Sequence, residues 1–568
     1  MSLRLLLLVS LLVLLAVALG PRAAAGSVVV VPDDHATVTA AIASGADTIL
    51  VRDGDYDEAV AVDRSLVLAR FDPEGPPETR PLLQVLTLGG AAAGDVHVSQ
   101  FRFVLPVFVD ALFDGPSLWL EDCHLGSGLQ HGVHLGPRLR VTGCGLFGAC
   151  DVYCWSLEFT GNTVIAGGLN AEYESYATIA SNWFHDAPGF AITLWDNDCA
   201  GWVADNVVWN CVAGIKVMSP CGTRIERNLV EHCAGDGITT EYAGQGGFAV
   251  LAGNVVRDAG GNGIQLGSLG GAVLGNTIEH VALAGIRVAE GTPAQRIAGN
   301  RVTDAQQAGV LAAGGALVQE FAGNTILRAG GPGALLRGAT RADSNVVGRC
   351  LGHGIEVDGT QGTFTATKNT LYLNGGSGLV VASESHGLVA ANIGYGNGLH
   401  ALDWSGAGVA SLACNLGFGN RAGNVNGAEP GATDREGDPL FCDLPADDVH
   451  LGPGSAAILA GCETAGALGP GCTSSAGVGA AAPAAFLRAG PLPARASVRF
   501  EWAAGVAARL EVFDLAGAKC WERLLPAGTG LFAWNLRDAR GRPLAPGVYF
   551  ARATSAERTA TVKLVVAR

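Results

Sequence analysis

Residues 251–312 read LAGNVVRDAGGNGIQLGSLGGAVLGNTIEHVALAGIRVAEGTPAQRIAGNRVTDAQQAGVLA, and one short unit recurs within them. Each copy opens on Gly-Asn with an aliphatic residue within the next two positions, at Asn254, Asn276 and Asn300, and carries a glycine followed by an aliphatic residue nine positions later, at Gly263, Gly285 and Gly309. The step continues in both directions, at Asn162, Asn182, Asn206, Asn228, Asn324, Asn345, Asn369, Asn392 and Asn415, with spacings of 20 to 26 residues and a mean of 23. The nine-residue offset holds from Asn228 to Asn369 while the remaining length floats, so part of each unit is rigid and part is loop. A period of this length marks a solenoid, because one unit cannot bury its apolar face without stacked neighbours.

The pieces between the marks are four to six residues long, alternate with period two and are rich in Val and Ile, as in GNTIEHV, AGIRVAEG and HGIEVDG. None has the length of a packed helix, so each unit is two or three short strands joined by glycine corners. The reading is an all-β parallel β-helix of about 17–19 rungs with strands ~4.8 Å apart. The steps GNTI…GNGIQL and GNRV…AGVLA resemble the right-handed parallel β-helix family, the pectate-lyase-like fold, over most of the chain. In such a rung the Asn column has a structural purpose: stacked amides pass hydrogen bonds along the solenoid.

Glycine is 82 of 568 residues, about twice the usual share, while the apolar fraction is 49%, which suits corners and not disorder. The net charge is −16 and no basic stripe stands out, so nucleic acid is excluded as a partner. Arg4, the apolar run Leu5–Leu19 and Ala23-Ala24-Ala25 read as a signal peptide over residues 1–25, so the chain is expected to be secreted or held at the cell surface, with no transmembrane segment after maturation. An exported chain with 14 cysteines points to disulfides. Cys211 and Cys233 fall five residues after their Asn, Cys199 and Cys221 seven before the next, and Cys123 and Cys144 occupy the Asn position itself. Stacked pairs of this kind could be disulfides or buried thiols, and both readings stay open. Cys442, Cys462 and Cys472 crowd the closing segment and suggest a local staple there.

Residues 26–70 resemble the N-terminal cap of secreted β-helices, with a short helix around Thr37–Ala43 covering the first rung. Residues 438–472 resemble the terminal coil of a solenoid spanning 26–472. Residues 473–490 read as an Ala/Gly/Ser-rich linker. From 491 to 568 longer alternating strands and Asp-Ala-Arg-Gly and Ala-Pro-Gly turns give a small antiparallel sandwich. Its Val-Phe-Asp-Leu-Ala-Gly and Pro-Gly-Val-Tyr-Phe-Ala-Arg steps resemble FlgD-like immunoglobulin-type modules and type IX secretion sorting domains. That resemblance implies secretion machinery as a partner and no chemistry.

Asp53, Asp55 and Asp57 imitate a calcium loop but lack its glycine and distant Glu, so calcium is not supported, no cofactor is required and no metal site is assigned. His232, Asp258, His280 and Asp304 lie four residues past successive Asn residues, where the chain turns a corner, and are read as solvated. The face following the glycine mark is the candidate binding surface: Trp195, Lys216, Glu241 and Arg287, with Asp196 and Asp198 in the adjoining loop. Lys216 and Glu241 are one rung apart and can simply pair; Lys216 and Arg287 are three rungs apart, ~14 Å, too far for one reacting centre. No catalytic residue is assigned. The expected function is binding or processing of polysaccharide outside the cell, as lyase or hydrolase if an enzyme. The alternative is a structural or adhesive protein whose solenoid is a stiff spacer.

Overall fold

The computed structural model describes residues 26–89, 95–110, 117–131, 138–196, 201–218, 220–241, 247–267, 270–359, 363–382, 386–458, 461–472, 487–490, 498–504, 507–514, 518–525, 528–545, 547–555 and 559–566. The expected signal peptide, Asp198 and Cys199 lie outside them. The chain divides into two compact units, Met1–Cys472 and Thr473–Arg568.

The first unit is a parallel β-helix with three sheets. One rung shows the path. Phe248–Ala252 lies in the first sheet, Gly253 and Asn254 turn, Val255–Arg257 lies in the third sheet, and Ile264–Gly267 in the second. The chain then enters Gly270–Leu274, beside Phe248–Ala252 and one rung on. Equivalent strands pair in parallel, so Val256 lies between Val230 and Ile278, and Gln265 between Thr239 and Arg287. The third sheet holds 17 strands among the described residues, the lower end of the expected rung count.

The Gly-Asn step is a backbone requirement followed by a hydrogen-bond requirement. The residue before each Asn is left-handed: Gly253, Gly275 and Gly299 have φ of 62°, 61° and 66°. Where Ser181, Asp205, Arg227 or Lys368 stands instead, φ is still 53–58°, a conformation costing a side-chain-bearing residue roughly 1–2 kcal/mol. The ladder offsets that cost. Asn276 Oδ1 accepts from both the backbone N–H and Nδ2 of Asn254 at 2.9 Å, while its own Nδ2 donates to Leu251 O at 2.9 Å and Asn300 Oδ1 at 3.0 Å. The same contacts run from the Cys144 N–H to Asp434, whose carboxylate ends the ladder by accepting from Asn415.

The nine-residue offset has a packing cause. A Cβ on Gly285 would lie 2.3 Å from Val302 Cγ1, and one on Gly263 would lie 2.4 Å from Ile278 Cγ2. Gly237, Gly263, Gly285, Gly309 and Gly333 each face the Val or Ile two residues past the next Asn, so glycine and branched aliphatic form one packing unit across the rung; Gly354 and Gly378 face the Asn374 and Asn397 amides instead.

Both ends of this unit are closed by their own chain. At the N-terminus the helix is Val38–Ala43, capped by Thr37, and Glu58 accepts from the backbone N–H of Val38 and Thr39 at 2.9 Å each. Asp53 and Asp55, the calcium look-alikes, pair with arginines: Asp53 with the buried Arg70 at 2.6 Å, and Asp55 with Arg102 at 3.1 Å. At the other end the closing segment folds back along the outside of the third sheet. Val449 packs with Leu327, Val346 and Tyr372, and Leu451, Ala457 and Ala465 with Ile393 and Leu416. Asp447 clamps it there, accepting from Arg328 at 2.8 Å, Arg349 at 2.7 Å and the Tyr372 hydroxyl at 2.8 Å.

The disulfides also gather at this end: Cys442–Cys472 and Cys414–Cys462. The staple expected among Cys442, Cys462 and Cys472 thus forms between two of them, while Cys462 reaches back to the rung at Cys414. The stacked pairs are corrected. Cys123, Cys144, Cys211 and Cys233 are buried thiols, because stacked Cβ atoms point the same way and do not tilt together as a disulfide demands. Cys144 Sγ instead accepts from the Cys123 N–H at 3.3 Å. Cys221 is half-buried.

In the second unit Leu487–Gly490, placed in the linker by composition, is a strand pairing with Val498–Ala504, which pairs in turn with Gly528–Trp534. A separate four-stranded antiparallel sheet is built from Lys519–Leu525, Ala508–Phe513, Gly547–Ser555 and Thr559–Val566. Val498, Phe500 and Trp534 of the smaller sheet share one core with Leu510, Val512, Ala551 and Leu564 of the larger.

Candidate functional site

The expected site residues do not converge on one centre. Lys216 and Arg287 stand in one outward column of the second sheet, Thr193–Lys216–Thr239–Gln265–Arg287, which keeps them three rungs apart. Trp195 is two residues further along its strand, in register with Met218, and Met218 with Glu241. Lys216 Nζ meets Glu241 at 2.8 Å and lies 5.4 Å from the centre of the Phe190 ring, so the two charges neutralise each other. Arg287 has no acidic partner among the described residues, and its Nε is buried without an acceptor. Asp196 ends the Trp195 strand, and Asp198 falls outside the described residues.

What the structure adds near Trp195 is a group of exposed rings on neighbouring rungs. In most rungs a connection separates the second-sheet strand from the first-sheet strand: six residues between Asp110 and Ser117, four between Asp196 and Gly201. Two adjacent rungs have none. Cys150–Thr160 and Leu169–Ala180 run unbroken from one sheet into the other, with a register shift between Cys154 and Ser156 where the strand bends. Trp155 and Tyr176 sit at that bend and are 49% and 51% exposed; Trp195, on the next rung, is 38% exposed. Three successive rungs therefore present a large aromatic to solvent, Trp155 and Tyr176 at the bend and Trp195 set back along its strand, in register with Glu172. Tyr176 is fixed by a hydrogen bond from the Thr178 hydroxyl to its own.

The row continues into the first sheet through Glu158, three residues past Trp155. Glu158 pairs with Arg140 at 3.2 Å. Arg140 lines a cavity of about 300 Å³ together with Val67, His97, Ser99, Trp119, Glu121 and Thr142. His97 meets Trp119 edge to face with ring centres 3.7 Å apart, and the Arg140 guanidinium lies 5.8 Å from the centre of the Trp119 ring on the following rung. Further along the same outward column the Trp202 indole donates to Glu226 at 3.4 Å. None of the cavity residues was singled out in the sequence: only Cys123 and Cys144 mark the Asn position there, and the rungs of Val67, His97 and Ser99 carry no mark from which outward positions could be counted.

The corner column behaves as solvated polar residues do. His232, Asp258, His280 and Asp304 all have positive φ, and the imidazoles face the carboxylates at 3.5–3.9 Å with more than half of each imidazole side chain exposed. No group of three or more His, Cys, Asp or Glu arranged to hold a metal occurs among the described residues. No helix among them is long and apolar enough to cross a membrane.

A family model described as "Right handed beta helix region" matches residues 138–278 and 243–411. No curated protein matches the chain. Solved structures similar to it include a double mutant of the periplasmic alginate epimerase AlgG, at 14% identity and a TM-score of 0.35, covering 49% of this chain and 77% of that one. The A-module of a mannuronan C-5 epimerase from Azotobacter vinelandii is similar at 13% identity and a TM-score of 0.24, over 71% and 96% of the two chains. A mannuronic acid specific polysaccharide family 6 lyase from human gut microbiota is similar at 12% identity and a TM-score of 0.26, over 60% and 81%. Likenesses this distant carry no reaction, substrate or residue role to this chain.

Proposed function

We propose that this protein is exported and binds polysaccharide through the aromatic row at the seam of the second and first sheets. The observation that carries the reading is the exposure of Trp155, Tyr176 and Trp195 on three successive rungs, two of which have no connecting loop to cover them. Exposed rings of this size on neighbouring rungs are costly to hold against water unless a partner uses them. A sugar ring suits them, because its C–H face packs on an aromatic plane while its hydroxyls reach the polar rim supplied by Glu158 and the Lys216–Glu241 pair. Export is supported by two disulfides in the closing segment, since such bonds persist in oxidising compartments. The sorting or attachment role of residues 491–568, and with it the secretion machinery as partner, belongs to the same proposal.

The test is binding of the mature protein to a glycan array, followed by titration of the strongest polysaccharide against Trp155→Ala, Tyr176→Ala and Trp195→Ala. Each variant should weaken binding by about tenfold or more, roughly 1.4 kcal/mol per decade, with the melting temperature little changed because the rings are exposed. A Trp195→Ala protein that melts early and binds normally would place that ring in packing. Binding unchanged in all three variants would leave the stiff-spacer reading.

A further inference from the structure

We infer that the first-sheet cavity around Trp119 is a second carbohydrate subsite, shaped for a neutral pyranose with adjacent hydroxyls and not for a uronate. The inference rests on the polysaccharide reading but concerns a different surface, on rungs nearer the N-terminus than the aromatic row. The lining is mixed in a way that suits a hydroxyl-rich ring. Trp119 and Val67 give an apolar wall, and the edge-to-face contact with His97 at 3.7 Å holds the indole in place. Ser99 and Thr142 supply hydroxyls that both donate and accept, and Glu121 supplies carboxylate oxygens that accept from two neighbouring O–H groups at once. In the strand register Glu121 sits between Ser99 and Thr142, so these three polar groups form one row beside Trp119.

Charge decides the class of sugar. The one guanidinium of the lining, on Arg140, is already engaged by Glu158 at 3.2 Å, so it brings no free positive charge. Glu121 is exposed and has no cation within ion-pair distance among the described residues. The cavity is therefore acidic, in a chain of net charge −16. A uronate would set a second carboxylate against Glu121, with the lining's one guanidinium already neutralised by Glu158, and like charges sharing a site disfavour each other. A neutral ring meets no such opposition. At about 300 Å³ the space is at the lower end of ligand pockets, room for one ring with its first linkage and not for a long chain.

Titration calorimetry of the full mature protein with methyl glucoside, methyl mannoside and methyl galactoside, set against methyl glucuronoside and methyl galacturonoside, tests this. At least one neutral glycoside should bind, and both uronosides should bind about tenfold or more weakly than it. Trp119→Ala should abolish the neutral binding. Glu121→Gln, at an exposed position where folding is unaffected, should narrow the gap between neutral and acidic sugars by removing the opposing charge. A uronoside binding as tightly as the best neutral glycoside, no binding by any of the five, or neutral binding intact in Trp119→Ala would each overturn the inference. Trp195→Ala separates the two surfaces. If it loses polysaccharide and keeps the monosaccharide, both stand; a wild-type protein that binds polysaccharide but none of the five monosaccharides sinks only the subsite.

Discussion

Single residues in this solenoid are fixed by what lies one rung away, and Gly285 is a clear case. Its absent Cβ leaves the space that Val302 fills, and a methyl there would also stand 2.6 Å from Gly309 O. Gly285→Ala should therefore destabilise the protein by about 1–3 kcal/mol, as overpacking does. Val302→Ala in the same chain should return part of that loss, read as a coupling in urea melts of the two single variants and the double. Independent, additive losses would show that the glycine is there for its backbone alone. The buried thiols make a second residue-scale prediction. Burial pushes Cys150, Cys154 and Cys233 up to about 12, and Cys211 and Cys350 to about 11. Because the thiolate is the nucleophile, iodoacetamide at pH 8 should label none of these five in the native protein and all of them after unfolding, counted by mass. The sign of the linked effect follows: the folded pKa values lie above the unfolded ~8.5, so these groups stabilise the fold below that pH and their contribution is lost as pH rises through 11–12.

At the scale of elements, the Asn-marked rungs were legible because their constraint is local. A left-handed residue, an amide and a glycine at fixed offsets are all written in one unit. A second ladder escaped notice although it obeys the same chemistry: Asn374 accepts from the Cys350 N–H at 3.1 Å, and Asn397 and Asn420 continue it five residues past each marked Asn. It is only three rungs long. The path of the closing segment had a signal too. The third position of each third-sheet strand is polar at Glu231, Arg257, Glu279 and Thr303, and turns apolar or small at Leu327, Gly348, Tyr372, Tyr395 and Phe418, and Phe441, Val449 and Leu468 of the closing segment pack with Leu327, Tyr372 and Tyr395 there. Of the candidate site, the sequence pointed to Trp195 and the Lys216–Glu241 pair and missed Trp155 and Tyr176. The loopless rungs and the Trp119 cavity depend on which strands merge and which columns align, and single units do not state that. The cap offers an element-scale prediction. The Arg70 guanidinium beside Asp53 holds its carboxyl below the usual carboxylate range. Its contribution is present above the unfolded pKa, ~3.9, and is lost as pH falls through the lower folded value. Asp53→Asn should thus lower the melting temperature at pH 7 and change it least at the acid end, with Arg70 left buried and unpaired. An equal loss at every pH would assign Asp53 a packing role only.

For the whole molecule the question is whether the two units depend on one another. Solenoid rungs contact mainly their neighbours, and the first unit closes its own ends, with the Val38–Ala43 helix over the first rung and a disulfide-held segment along the last five. The second unit has its own core of Val498, Phe500, Leu510, Trp534 and Leu564. Nothing in either core requires the other. A chain ending at Cys472 should therefore export, melt at the same temperature as the solenoid transition of the full protein, and bind polysaccharide as well as the full chain does. What should change is location: if residues 491–568 are a sorting or attachment module, the truncated protein should be lost from the cell surface to the medium. Differential scanning calorimetry of both forms, with fractionation of cells expressing them, reads the two claims separately. A solenoid transition that falls by several degrees on truncation would make the second unit a structural cap, and unchanged location with unchanged stability would leave it without the role proposed here.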